Sequence, residues 1–499
     1  MSFLEDLRQG LSANPDEVIM DYAGELFVTR GEFARYGEQI VSILEEAGVP
    51  RDASAGLVTR NRPLHGAAIV GLLAAERSYT SIYAFQSPDM LARDVRETRF
   101  ACVIADQEDW TEALRTAVRD IGAVGICLSL EDAPRVRRID GGGQFTGQDF
   151  HRVEGGGIEI LSSGTTGKPK RIVFPSHMLV RAVETVKAGQ MDDTRPADIC
   201  TWPFAGIGGL CNLVANIVIH RYMTLLDRFN VPQWLEAVKR HKPSFFSGPP
   251  TVTQMLVDAD VDPADLASVR YFYGGSAPMP EKLENTLLEK YGIKTIWGYG
   301  ATEFCGTVIS WNVALYDRYY PAKRGAMGKP LPGIEVRVVD ERSGEPLGIN
   351  RVGYLEAKVP SIGEHWIRTT DLALIDEDGF VFHRGRGDGA ILRGGFKILP
   401  ETIVAALVEH QSVLDAAVVG LPDERLGQVP VAVVELKSGA EPVTEDALKG
   451  FLRSRLASTA VPVSIRIVED LPRTPSLKVD LKAVSALFTP SATAAATDR

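Results

Sequence analysis

The stretch SSGTTGKPK, Ser162 to Lys170, follows the apolar GIEIL of residues 157–161. Its nine residues hold four hydroxyl side chains, two glycines and two lysines, a density that no plain connection needs. Glycines let backbone N–H groups approach a ligand, hydroxyls donate hydrogen bonds, and lysines neutralise charge. A loop so built at the end of a strand suits a polyphosphate. It is not a Walker A loop, which requires four residues between its glycines and a hydroxyl after the lysine. Here two residues separate Gly164 from Gly167, and Pro169 follows Lys168.

Outward from this loop, helical and strand-like segments alternate. Residues 30–47 carry apolar positions at helical spacing, and GLVTR (56–60), ACVIAD (101–106), VGICLSL (124–130) and PSFFSG (243–248) read as short buried strands. The alternation predicts α/β layering. After about residue 320 the texture changes to brief alternating strands joined by Gly, Pro and Asp turns. From about 390 a small α+β module follows, with helices expected at 400–410 and 444–456 and strands at 415–421, 430–437 and 464–469. The last residues, from 486, read as a disordered tail.

The 499-residue chain has room for two or three domains. Its net charge of −11 argues against a nucleic-acid backbone or an anionic membrane as main partner. The five cysteines are scattered without metal-ligand spacing and read as free buried thiols. MSFLEDLRQG at the start carries no secretory signal, and GAAIVGLLAA (66–75) is too short to cross a bilayer. A cytoplasmic protein without a transmembrane segment is expected.

Five further motifs follow the opening one in order: YGGSAP (273–278), WGYGATE (297–303), WIRTTDLALIDEDGF (366–380), HRGRGDGAILRGGFKILPETI (383–403) and PRTPSLK (472–478). The set resembles the adenylate-forming superfamily of acyl-CoA synthetases, peptide-synthetase adenylation domains and luciferases, and is most like a carboxylate–CoA ligase. The resemblance spans essentially the whole chain. It implies an α/β fold with a large N-terminal domain (1–387) of layered α/β subdomains plus a small β-barrel-like part. A small mobile α+β C-terminal domain (388–485) and the tail (486–499) complete it.

The implied reaction is attack of a carboxylate on the α-phosphorus of ATP, giving acyl-AMP and pyrophosphate, then thioester formation with CoA. Catalysis would be mainly positioning and electrostatic stabilisation. By resemblance, Ser163, Thr165, Thr166, Gly167, Lys168 and Lys170 would hold phosphates. Ser276, Ala277, Pro278, Gly298, Tyr299 and Gly300 would line the nucleotide. Thr302 would donate to the α-phosphate, Glu303 would hold Mg²⁺, Asp371 would accept the ribose hydroxyls and Arg386 would sit beside them. Lys478 would reach the reacting carboxylate. Asp388 resembles the hinge, and Gly394, Gly395 and Lys397 would meet CoA after the domain swings. Thr370 and Leu477 stand where glycine is usual, and Arg171 follows Lys170 where glycine is common.

An amino-acid substrate would need an acidic partner for its ammonium, and WPFAGIGGLCN (202–212) contains none. Glycines, notably Gly206, Gly275 and Gly300, would leave the acid pocket wide. A bulky, mostly apolar carboxylate (fatty, aryl or alicyclic) is the expectation. A ligase that loads a carrier protein and a degenerate nucleotide-binding member without activity stay open as alternatives.

Overall fold

Strands that are apolar on both faces end up in the middle of parallel sheets, and this chain contains a run of them. We label β1 (Ala55–Thr59), α1 (Pro63–Ala74), β2 (Tyr79–Tyr83), β3 (Cys102–Asp106), β4 (Gly157–Leu161) and β5 (Arg171–Pro175). The computed structural model describes residues 2–139, 145–146, 149–153, 156–161, 171–189, 197–277, 279–387, 389–393, 396–423, 426–474 and 478–488. Two compact units divide between Tyr320 and Pro321.

In the first unit a seven-stranded sheet runs in the order Val136–Arg138, Val124–Leu128, β3, β1, β2, β4, β5. Its five inner strands are parallel, and both edge strands are antiparallel. AGLVT, CVIAD and VGICL are buried at every position, as the sequence pattern predicts. The helix α1 starts with Pro at its first turn and is buried almost all round, as expected for a helix apolar on every face.

The chain leaves β1 to one side for β2 and returns on the other side for β3. Such a reversal point usually opens a crevice for ligands at the carboxyl ends of the strands. Here it carries a network of charges. Arg60 holds Asp109 with two hydrogen bonds of 2.8 and 2.7 Å and also faces Glu108 and Asp227. Arg62 pairs with Asp106 at 2.9 Å, with Asp227 at 2.8 Å and with Glu108.

Further along come α2 (Val180–Gly189) and α3 (Ile207–Val218), then β6 (Phe245–Gly248), β7 (Tyr271–Gly274), β8 (Lys294–Ala301) and β9 (Gly306–Ser310). Strands β6, β7 and β8 run parallel and β9 returns antiparallel to β8. A smaller sheet joins Asp198–Cys200, Met223–Leu225, Val18–Tyr22 and Leu26–Thr29.

The second unit opens with an antiparallel meander of Glu335–Val339, Gly353–Lys358, β10 (Trp366–Ile375) and β11 (Val381–Arg386). It continues into an α+β module whose central strand, Gly427–Leu436, pairs with Val413–Asp423, Ser464–Val468 and Ile391–Arg393. Helices Pro400–Val408 and Glu445–Arg453 cover it, burying Ile403, Leu407, Leu448 and Leu452. Each of these elements falls within two or three residues of its expected place. Within the stretch read as a tail, Leu487 and Phe488 pack against Val431, Val433 and Val484, and residues 489–499 lie outside the described residues.

All five cysteines are free, four of them buried and Cys211 partly so. Among the described residues no helix is long and apolar enough to cross a membrane.

Candidate active site

Register sets the geometry of the first unit. Gly248, Gly274 and Trp297 stand side by side across β6, β7 and β8, so YGGSAP and WGYGATE both leave the carboxyl edge of one parallel sheet. Ligands of open α/β sheets bind at that edge. The two loops touch: a Cβ at Gly275 would lie 2.8 Å from the Gly298 carbonyl oxygen. Ser276 and Ala277 are exposed, and Ser276 takes the left-handed conformation at φ 70°, a strained choice for a residue with a side chain.

After β8 the chain makes one short helical turn, Thr302–Phe304, and reverses through Cys305 at φ 51° and Gly306 at φ 125°. Phe304 is fully buried and anchors the turn, while Glu303 projects into solvent. Among the described residues neither Thr302 nor Glu303 engages its side chain in a hydrogen bond or ion pair. Arg181, on α2, clamps the turn from behind: Nη1 donates to the Phe304 carbonyl at 2.6 Å and Nη2 to the Thr307 carbonyl at 2.8 Å. Sequence reading misses Arg181, because its partners are backbone carbonyls more than a hundred residues away. Cys211 on α3 donates to the Cys305 carbonyl at 3.9 Å, which brings α3 beside the same turn.

The glycines divide into two kinds. A Cβ at Gly209 would stand 2.1 Å from the Pro203 carbonyl oxygen, and one at Gly300 would stand 2.3 Å from that of Gly306. Gly274 and Gly275 are likewise pressed by neighbours. These positions admit close approach, so their lack of a side chain does not leave the pocket wall empty. Room remains at Gly206, whose Cβ would meet, among the described residues, only Tyr83 Oη at 3.6 Å and the Pro203 oxygen at 3.7 Å, and at Gly298, where contacts begin at 3.4 Å.

The opening motif is framed by β4 and β5, which pair with Leu161 opposite Arg171. Glu159 on β4 is buried and accepts from Thr80 at 2.8 Å, His151 at 3.0 Å and Arg171 at 3.3 Å. Burial works to raise its pKa, and these bonds outweigh it, so the carboxyl titrates below its ordinary range. Arg171 also reaches Asp94 at 2.6 Å, which gives this arginine an anchoring role where glycine was the common choice. Ser163, Thr165, Thr166, Gly167, Lys168 and Lys170 lie outside the described residues, as do Pro278, Asp388, Gly394, Gly395 and Leu477. Lys397 is placed on the strand Phe396–Ile398.

In the second unit Asp371 on β10 stands opposite Arg386 on β11. Its carboxylate lies 3.5 Å from His383 Nε2 and 4.0 Å from Arg386 Nε. Thr370 accepts a hydrogen bond from Arg386 Nη2 at 2.7 Å, so the residue that replaces a glycine orients the arginine next to Asp371. His383 was not singled out from sequence, although it lies on β11 three residues before Arg386. The Lys478 carbonyl accepts from the Thr474 N–H at 2.7 Å, and Arg473 forms an isolated antiparallel bridge with Val479.

Among the described residues no three His, Cys, Asp or Glu side chains form a metal cage. Magnesium does not need one: it keeps several waters and is commonly held by one or two carboxylates together with substrate phosphates. The exposed, unengaged Glu303 fits that pattern.

A family model described as AMP-binding enzyme matches residues 7–365, and one described as AMP-binding enzyme C-terminal domain matches residues 403–478. The 4-coumarate–CoA ligase-like 3 protein of Arabidopsis thaliana is 30% identical over 402 residues, covering 75% of this chain and 69% of that protein. The 4-coumarate–CoA ligase-like 2 protein of the same plant is 28% identical over 351 residues, 66% of this chain; the match spans only 61% of that relative's length. Among solved structures, ATP-bound MatB from Rhodopseudomonas palustris superposes with a TM-score of 0.81 at 22% identity, covering 98% of this chain and 99% of that one.

Proposed function

The chain belongs to the AMP-binding enzyme family, and on that premise we propose that it is an AMP-forming carboxylate–CoA ligase. A carboxylate oxygen attacks the α-phosphorus of ATP and pyrophosphate leaves. The CoA sulfur, losing its proton, then attacks the acyl carbon and AMP leaves. The observation that carries this reading is the meeting of YGGSAP and WGYGATE on one carboxyl sheet edge, with Thr302 and Glu303 unengaged on a clamped turn.

In this reading Thr302 donates to the α-phosphate, and Glu303 would hold a Mg²⁺ ion that would offset phosphate charge. Ser276, Ala277, Tyr299 and the glycines beside them form the nucleotide wall. In the second unit Asp371 accepts from the ribose, Arg386 lies beside it, and Lys478 steadies the reacting carboxylate. The residues of 162–170 hold the departing phosphates. Asp388 serves as hinge and Gly394, Gly395 and Lys397 serve the thiol acceptor. The Thr370–Arg386 bond favours an active member over a degenerate one, since the departure from glycine is used.

The acid is bulky and largely apolar. Supporting this are the space at Gly206 and Gly298 and the absence of an acidic residue from 202–212. Hydroxylamine trapping of acyl-AMP across a library of carboxylic acids, with and without CoA, tests the proposal. Acid-dependent hydroxamate and, with CoA, a thioester are expected. Hydroxamate without thioester would move the acceptor to a carrier protein, and no acid-dependent product at all would end the reading.

A further inference from the structure

The entrance to α3 is lined by polar groups that are nearly all engaged. Asn61 donates to the Trp202 carbonyl at 3.1 Å and accepts from the Phe204 N–H at 2.8 Å. Ser81 Oγ donates to the Ala205 carbonyl at 3.2 Å, Trp202 Nε1 donates to Ser247 Oγ at 3.1 Å, and Thr201 donates to the Ser247 carbonyl.

Tyr83, the last residue of β2, breaks this pattern. Among the described residues its hydroxyl has no hydrogen-bond partner. Burial alone pushes its pKa upward, with no charged neighbour contributing. That hydroxyl points at the space beside Gly206, 3.6 Å from where a side chain would begin. Tyr83 is partly buried, so its hydroxyl is a donor and acceptor still open to a group that enters this space and displaces water.

Gly206 opens α3, and Cys211, five residues on, bonds the turn that carries Glu303. At about 1.5 Å of rise per residue, the gap beside Tyr83 lies within about 8 Å along the helix of that contact. This is the reach of the tail of a bound acid.

We infer that Tyr83 is a specificity residue that hydrogen-bonds a neutral oxygen function, a hydroxyl or carbonyl, on the tail of the carboxylic acid. The inference rests on the ligase reading and deepens it. A charged tail is disfavoured, because among the described residues no charged group contributes at Tyr83.

The test uses matched acids on one skeleton: 4-hydroxycinnamate against 4-methylcinnamate, and hydroxy- and oxo-decanoates, oxygen stepped along the chain, against their methyl- or methylene-bearing partners. Acid-dependent pyrophosphate release gives kcat/KM. The wild type is expected to prefer an oxygen-bearing acid at one position by about tenfold or more, since a bound acid that covers Tyr83 without pairing its hydroxyl strips that group of water.

Tyr83→Phe should bring the pair within about threefold while leaving KM for ATP unchanged. Gly206→Ser keeps Tyr83 and offers it an internal partner, and should erase the same preference. A preference that survives both variants, or no preference at any position, overturns the inference. If no acid supports pyrophosphate release, the ligase reading fails, and thermal protection by the same pairs decides Tyr83. Protection by the oxygen-bearing acid that vanishes in Tyr83→Phe upholds the inference, and absence of protection by every acid overturns it.

Discussion

Gly300→Ala tests whether the β8–β9 reversal sets the geometry of catalysis. A Cβ at this position would lie 2.3 Å from the Gly306 carbonyl oxygen, 2.7 Å from its carbon and 2.8 Å from Thr307 Cα. All three are backbone atoms, so no side chain can swing aside. Ordinary contact begins near 3.4 Å, so the two strands must part by about 1.1 Å. Thr302 and Glu303 ride on that reversal, and a misplacement of about 1 Å can cost about a hundredfold in rate. Gly348→Ala, in the second unit, is the control: its Cβ would meet nothing within 4 Å among the described residues. Initial rates of acid-dependent pyrophosphate release are expected to fall about a hundredfold in Gly300→Ala and by less than about threefold in Gly348→Ala. A folded Gly300→Ala enzyme with near wild-type rate would refute the reasoning, because the reversal would then yield without disturbing Thr302 and Glu303.

Arg181→Met removes two charge-assisted bonds, each worth about 1.5–3 kcal/mol. We expect adenylation to drop about ten- to hundredfold, with partial recovery in Arg181→Lys, which supplies charge without the fork; equal rates in all three proteins would dismiss the clamp. Asp371→Asn should raise KM for ATP about tenfold or more while KM for CoA stays put, as steady-state titrations of each would show. His65 is fully buried on α1, and both ring nitrogens lack a partner among the described residues. Burial first, then the charges of Arg62 and Arg60, hold its pKa well below normal. Below about pH 6.5 the unfolded chain takes up a proton that the folded chain refuses, so stability should fall by about 1.4 kcal/mol per pH unit on acidification. Urea midpoints from pH 7 to 5 should show that slope, and His65→Leu should flatten it.

The strands β1, β3 and Val124–Leu128 were legible because burial on both faces leaves a continuous apolar run that charge cannot interrupt. The run 207–219 is a helix over Ile207–Val218, its length being that of a helix rather than a buried strand. The motifs that name Thr302, Glu303 and Asp371 fall on a short turn after β8 and within β10. What sequence could not distinguish was the purpose of a glycine. Gly206 and Gly300 look alike in a string of letters, yet one faces space and the other faces a carbonyl. Arg181 and Tyr83 were also hidden. The first binds backbone atoms that carry no residue identity, and the second is notable only for a bond it does not make.

The charges gathered beyond β1 and β3 have a consequence for how this chain can change over generations. Arg60 with Asp109 and Arg62 with Asp106 are pairs held largely out of water, so neither partner of a pair can be exchanged alone without stranding a desolvated ion, a loss on the order of 3–5 kcal/mol. Drift at one of these codons is therefore blocked until another moves with it. The group is inherited as a block, and descendants that abandon it must replace it wholesale with apolar side chains.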